Sequence, residues 1–164
     1  NESKETYKHH SFYFLLWGWL MISAALTEYY LLNINYQFHF LPWIVFSVLG
    51  GIVSGLKGAK DKKRISTFAD KVISYTWIGF VITMIITLIA VVPSNPNPFV
   101  LLLVGLATFI TGGVTQFKGF VVGGVIFWVA ATVSFQLEVQ PSLLVYALAM
   151  FLGYIVPGYL LKNS

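Results

Sequence analysis

The chain has no cysteine, only three histidines, and charge on just 10% of its 164 residues. Without cysteine there is no disulfide, no thiol nucleophile and no Cys-ligated zinc or iron–sulfur centre. Carboxylates are as scarce. Of the six, Glu2, Glu5, Asp61 and Asp70 accompany basic stretches, which leaves Glu28 and Glu138 apart from them. The histidines cannot share one metal ion, because His9 and His10 precede the first apolar run and His39 follows it. No Gly-x-Ser-x-Gly or His-Glu-x-x-His string occurs, so the usual marks of esterases and zinc proteases are missing. No metal, cofactor or enzymatic activity is expected.

What is abundant is apolar surface: 57% of the residues are hydrophobic and the mean hydropathy is +0.79. A bilayer core about 30 Å thick takes roughly 20 apolar residues per helix, so a chain of this length is filled by six or seven spans. The uninterrupted runs predict an all-α integral membrane protein with six transmembrane helices, near 12–32, 39–56, 72–92, 99–117, 119–137 and 141–161. The first run is too long for a signal peptide and lacks a small-residue cleavage site, so it is expected to stay as a span. Asn33-Ile-Asn35, the Pro93–Pro98 stretch and Pro141 supply turn chemistry between spans. The resulting organisation is a lead-in (1–11), one transmembrane domain (12–161) with a basic loop at 57–71, and a short tail (162–164).

When sides alternate at each span, all ten Lys and Arg fall on the side of the N-terminus and none on the other. Basic loops stay in the cytoplasm, so both termini are expected there. Lys57, Lys60, Lys62, Lys63 and Arg64, in the string KGAKDKKR, are therefore topology determinants that also attract anionic headgroups of the bilayer. The string has no interleaved aromatics, and nucleic acid is not an expected partner. Thr67 and Asp70 have the spacing of a capping box opening the third helix, and Gly58 is placed to end the second.

Displaced by 61 residues, Gly50–Gly58 (GGIVSGLKG) falls on Thr111–Gly119 (TGGVTQFKG), and Gly18 meets Gly79 in the same register. Leu152–Gly158 (LGYIVPG) echoes Leu49–Gly55 (LGGIVSG) more loosely. The pattern predicts three helical hairpins, 12–56, 72–117 and 119–161, repeated about the membrane normal. Gly51, Gly55, Gly112, Gly119 and Gly123 are expected to let helices approach closely.

Glu28, in LTEYYLL, lies roughly 6 Å inside the outer end of the first helix, where an ionised group must snorkel or find a partner. With His39, Tyr29 and Tyr30 it forms a candidate outer-face polar site, although the offset in depth argues against direct contact between Glu28 and His39. Trp17, Trp19 and Trp77 on the inner side, and Trp43 and Tyr36 on the outer, read as interfacial belts. Trp128 sits at mid-depth, where its indole N–H needs a partner, and the intramembrane Ser and Thr hydroxyls are expected to bond back to their own helices.

Ser11–Leu20 (SFYFLLWGWL), followed by an apolar hairpin and a Lys-rich loop, resembles a family of small bacterial membrane proteins. Some of its members are named as sensors interacting with progestin and adipoQ receptors. The resemblance implies a multi-helix protein of the bacterial inner membrane that works with another membrane protein, and it supplies no catalytic residue. The function expected from residues and resemblance together is a non-catalytic sensor or accessory subunit. The alternative is a small-molecule or ion transporter or channel built from hairpin repeats, and a lipid-acting enzyme would have only Glu28 and His39 to use.

Overall fold

A computed structural model describes residues 2–60, 67–91 and 94–163, with side chains in the first helix from His9 onward. Lys62, Lys63 and Arg64, and the side chains of Lys4 and Lys8, lie outside the described residues. The described residues are helical almost throughout: α1 (Glu2–Asn33), α2 (Leu41–Lys60), α3 (Phe68–Val91), α4 (Asn97–Thr115), α5 (Lys118–Ser134), α6 (Val139–Met150), a π-helical turn (Phe151–Ile155) and α7 (Val156–Asn163). Five units are long and apolar enough to cross a membrane: His9–Asn33, α2, α3, α4 and the continuous Val139–Asn163. The sixth expected span, α5, is shorter, at 17 residues. It is bounded closely by the turn from α4 on one side and by Phe135–Leu137 on the other, where short backbone bonds such as Gln136 N to Val133 O replace the helical ladder.

Helix ends follow local chemistry. Asn35 takes φ 52°, and Gln116 takes φ 55°, a left-handed geometry that Asn tolerates better than most residues. Gln116 ends α4 by donating its N–H to the carbonyls of Gly112 and Gly113. Thr67 and Asp70 form the capping box: Thr67 N–H donates to Asp70 Oδ2 (3.0 Å) and Asp70 N–H to Thr67 Oγ1 (3.2 Å). Gly58 does not end α2, which continues to Lys60. A glycine need not stop a helix where the solvated residues beyond it can continue the ladder.

The π turn also has a local cause. Pro157 has no N–H to give the carbonyl of Gly153, and in the widened turn Val156 N–H donates to Phe151 O. The carbonyl of Gly153 faces Gly123 on α5, where an added Cβ would lie 2.6 Å from it. Gly123 makes room for an oxygen that Pro157 releases.

The core lies among α1, α4, α5, α6 and the π turn, with Phe14, Leu101, Phe120, Phe127, Leu143 and Tyr146 buried together. Phe14 stacks on Phe120 with ring centroids 3.9 Å apart and meets Tyr154 edge-on. The backbones of α4 and α5 approach closely, whereas among the described residues the backbone of α2 comes near only that of α1, and that of α3 near only that of α4. The glycines explain the difference. A Cβ at Gly112 would lie 2.5 Å from Val121 N, and Gly105 and Gly124 are pressed against Trp128 and Phe109 across the same seam.

Gly51 and Gly55, expected to bring helices together, have nothing within 4 Å among the described residues. Within one chain the close approach on α2 is made instead by Gly50, which faces α1 and meets Trp17 and Leu20, one position around the helix from Gly51. Gly119 meets the ring of its near neighbour Phe117 rather than another helix.

Candidate functional site

One end of the bundle gathers the cations. Lys57 Nζ lies 4.0 Å from the ring centre of Phe12, His10 Nε2 lies 3.7 Å from Asp70 Oδ1, and Gly158 packs on Leu15. These contacts join the start of α1 to the end of α2, the start of α3 and α7. The described Lys57, Lys60, Lys71, Lys118 and Lys162 therefore share this end, while Glu28 and Glu138 lie at the other.

At that opposite end the chain reverses over 34–40. Tyr36 N–H donates to Leu31 O at 2.9 Å to close the turn, and Leu41 N–H donates to Phe38 O as α2 begins. His39 consequently stands in the connection before α2 rather than on the helix, and it reaches back toward α1. Its Nδ1 is 2.7 Å from Glu28 Oε1, and Trp43 Nε1–H donates to Glu28 Oε2 at 2.5 Å. The offset in depth expected to separate Glu28 from His39 is removed by this fold-back, and they touch directly.

Glu28 is only 7% exposed. A carboxylate withdrawn from water is costly unless its oxygens accept hydrogen bonds, and here each oxygen has one. Trp43 in turn meets Tyr146 of α6 edge-on, with ring centroids 5.2 Å apart and Tyr146 buried. The cluster thus joins α1, the 34–40 connection, α2 and α6. Tyr29 packs against the core and Tyr30 points outward, 63% exposed, so neither tyrosine takes the place expected of it. Trp43, read as a belt residue, does. The missed signal was spacing: four residues after His39 put Trp43 in the first turn of α2, on the side facing the same carboxylate.

A second polar cluster lies at the same end. Asn97 Nδ2–H donates to the buried Ser142 Oγ at 2.6 Å, Asn95 Nδ2–H donates to Leu137 O at 3.2 Å, and Ser142 Oγ–H donates to Val139 O at 2.7 Å. Gln140 Nε2–H donates to Asn33 Oδ1 at 2.7 Å. These bonds seat the starts of α4 and α6 and tie α6 to α1.

Other predicted residues find structural partners. Trp128 donates to Leu102 O on α4 at 3.3 Å, and Trp17, expected in a belt, donates to Ser54 Oγ on α2 at 3.1 Å. Ser23, Thr83, Thr87, Thr108, Thr111 and Thr132 bond back to their own helices. Ser134 Oγ is buried without a partner among the described residues. Ser54 and Lys57 have the Ser-x-x-Lys spacing of acyl-transfer enzymes, but Ser54 accepts from Trp17 and Lys57 lies over Phe12. Among the described residues no three His, Asp or Glu side chains converge as metal ligands.

Comparison of the chain with protein-family models, with curated proteins and with solved structures found no match.

Proposed function

We propose that this chain is a non-catalytic, six-span protein of the bacterial inner membrane, with both termini cytoplasmic, that serves as a sensor or accessory subunit for a membrane partner. Its outer-face site is Glu28 with His39 and Trp43. The observation that carries the reading is a carboxylate 7% exposed, hydrogen-bonded by two residues of the adjoining connection and helix, at the end opposite the described lysines. An intramembrane carboxylate is a functional candidate by default. Here any outer polar ligand that replaced His39 would alter the link between α1, α2 and α6.

The sixth span is α5, whose 17 residues are at the short limit for crossing. The three-hairpin reading is supported by register. The offset of 61 residues links the first hairpin to the second, and the offset from Leu49 to Leu152 links α2 to the last. Applied together, they carry the contact of Gly112 with Val121 onto that of Tyr154 with Gly18, both of which are tight. A transport path is the weaker reading, because the space among α1, α4, α5 and α6 is occupied by Phe14, Phe120, Phe127 and Tyr146.

The test is purification from native membranes. The parent is expected to bring down one partner in stoichiometric amount, and His39→Gln, which leaves the Trp43 bond to Glu28 in place, to lose it while keeping parental thermal stability within a few degrees. A parent that brings down nothing, yet moves a solute in proteoliposomes, would replace this reading with the transporter.

A further inference from the structure

The hairpin register leaves one helix seam open, and we propose that a second copy of this chain fills it. This rests on the three-hairpin reading above. Two seams between successive hairpins are formed, α4 against α5 and the π turn against α1. At the first, Gly112 meets Val121; at the second, Gly18 meets Tyr154, an added Cβ lying 3.1 Å from Tyr154 Cβ. The same offsets carry both contacts onto a single third pair, Gly51 of α2 with Gly79 of α3. Both glycines have nothing within 4 Å among the described residues.

The surroundings agree. The contacts of Phe109 with Gly124 and of Gly105 with Trp128 correspond to Val48 with Ile82 and Ile44 with Ile86. These four side chains are 54%, 54%, 53% and 61% exposed respectively. Gly105 and Gly124 are buried in the formed seam, whereas Ile44 and Ile82, which take their places in the third, are open, on two helices whose described residues do not meet.

A second copy fits better than the other occupants. Closure within one chain is opposed by the contacts that hold α2 on α1, through Trp17 with Ser54 and Trp43 with Glu28, and by those that hold α3, which lies along α4 and meets α1 through Trp77 against Phe14. Lipid does not exploit a glycine face, since small residues matter where backbones approach. A helix face about 10 Å wide and about 30 Å long offers about 300 Å², so a single foreign helix would cover one of the two faces. Two copies related by a two-fold axis along the membrane normal place α2 of each against α3 of the other. That arrangement is antiparallel like α4 and α5, and the symmetry satisfies both faces at once. Two seams then bury about 1,200 Å² in total, the lower bound of a stable interface.

The absence of native cysteine makes the test direct. Chains carrying Gly51→Cys and Gly79→Cys, with different tags, are co-expressed and oxidised in native membranes. The expected product is a covalent heterodimer of twice 18.3 kDa, while each variant expressed alone stays at single-chain mass. As a second measurement, the parent in lipid nanodiscs should have dimer mass and Gly51→Leu should shift it to single-chain mass. Absence of the heterodimer, a disulfide closed within one chain carrying both substitutions, or a parent of single-chain mass would each overturn the proposal. External labelling of Gln37→Cys reports the six-span topology separately. Correct labelling without the heterodimer rejects the dimer alone, and wrong sidedness rejects the reading beneath it.

Discussion

Glu28 belongs to α1 by sequence and to the 34–40 connection by chemistry. Its two oxygens accept from donors of different exposure: Trp43 packs against buried Tyr146, whereas the His39 side chain is 36% exposed. Water can replace a donor that it already reaches, so the two bonds should differ in worth. Trp43→Phe keeps the ring but removes the N–H, and thermal unfolding in detergent should show a loss of about 1.5–3 kcal/mol, the range for a hydrogen bond to a charged group. His39→Gln should lose less, below about 1 kcal/mol. Equal losses would mean that the indole N–H is as wet as the imidazole. Sequence alone singled out Glu28 and His39, because an ionisable residue in an apolar run is conspicuous. It could not single out Trp43, because a tryptophan near a helix end looks the same whether it meets headgroups or a carboxylate.

Among the elements, apolar runs were enough to locate α1 to α6 among the described residues, and Thr67 with Asp70 marked the start of α3 through side-chain chemistry alone. The faces were less legible. Glycines at 50 and 51 are adjacent in sequence but point about 100° apart around a helix, so composition could not say which one faces α1. Gly50→Leu should therefore cost about 1–3 kcal/mol through overpacking against Trp17 and Leu20, and Gly112→Leu at least as much because it meets backbone. Equal melting of Gly50→Leu and the parent would contradict the packing of α2 on α1. The π turn was also hidden, since Pro157 reads as an ordinary kink until the freed carbonyl of Gly153 is seen against Gly123. Gly123→Ala should consequently destabilise the parent, and Pro157→Ala, which restores an N–H donor for that carbonyl, should reduce the penalty. Strictly additive effects in the double variant would separate the two residues.

For the whole molecule, the account turns on a separation of charge, with the described lysines at one end and the Glu28 cluster at the other. That asymmetry was readable in sequence because basic residues alternate with spans, whereas the joining of α1, α2 and α6 at the far end depends on a fold-back that no periodicity records. Neutralising Lys60, Lys62, Lys63 and Arg64 together should yield a mixed orientation in a reporter assay without loss of helix content. The most direct measurement uses the absence of native cysteine. Single variants Gln37→Cys, beside the Glu28 cluster, and Lys60→Cys, at the basic end, are exposed in intact cells to a maleimide that cannot cross the membrane. Labelling of Gln37→Cys with protection of Lys60→Cys until the cells are opened is the predicted result, and labelling of Lys60→Cys with protection of Gln37→Cys would contradict it.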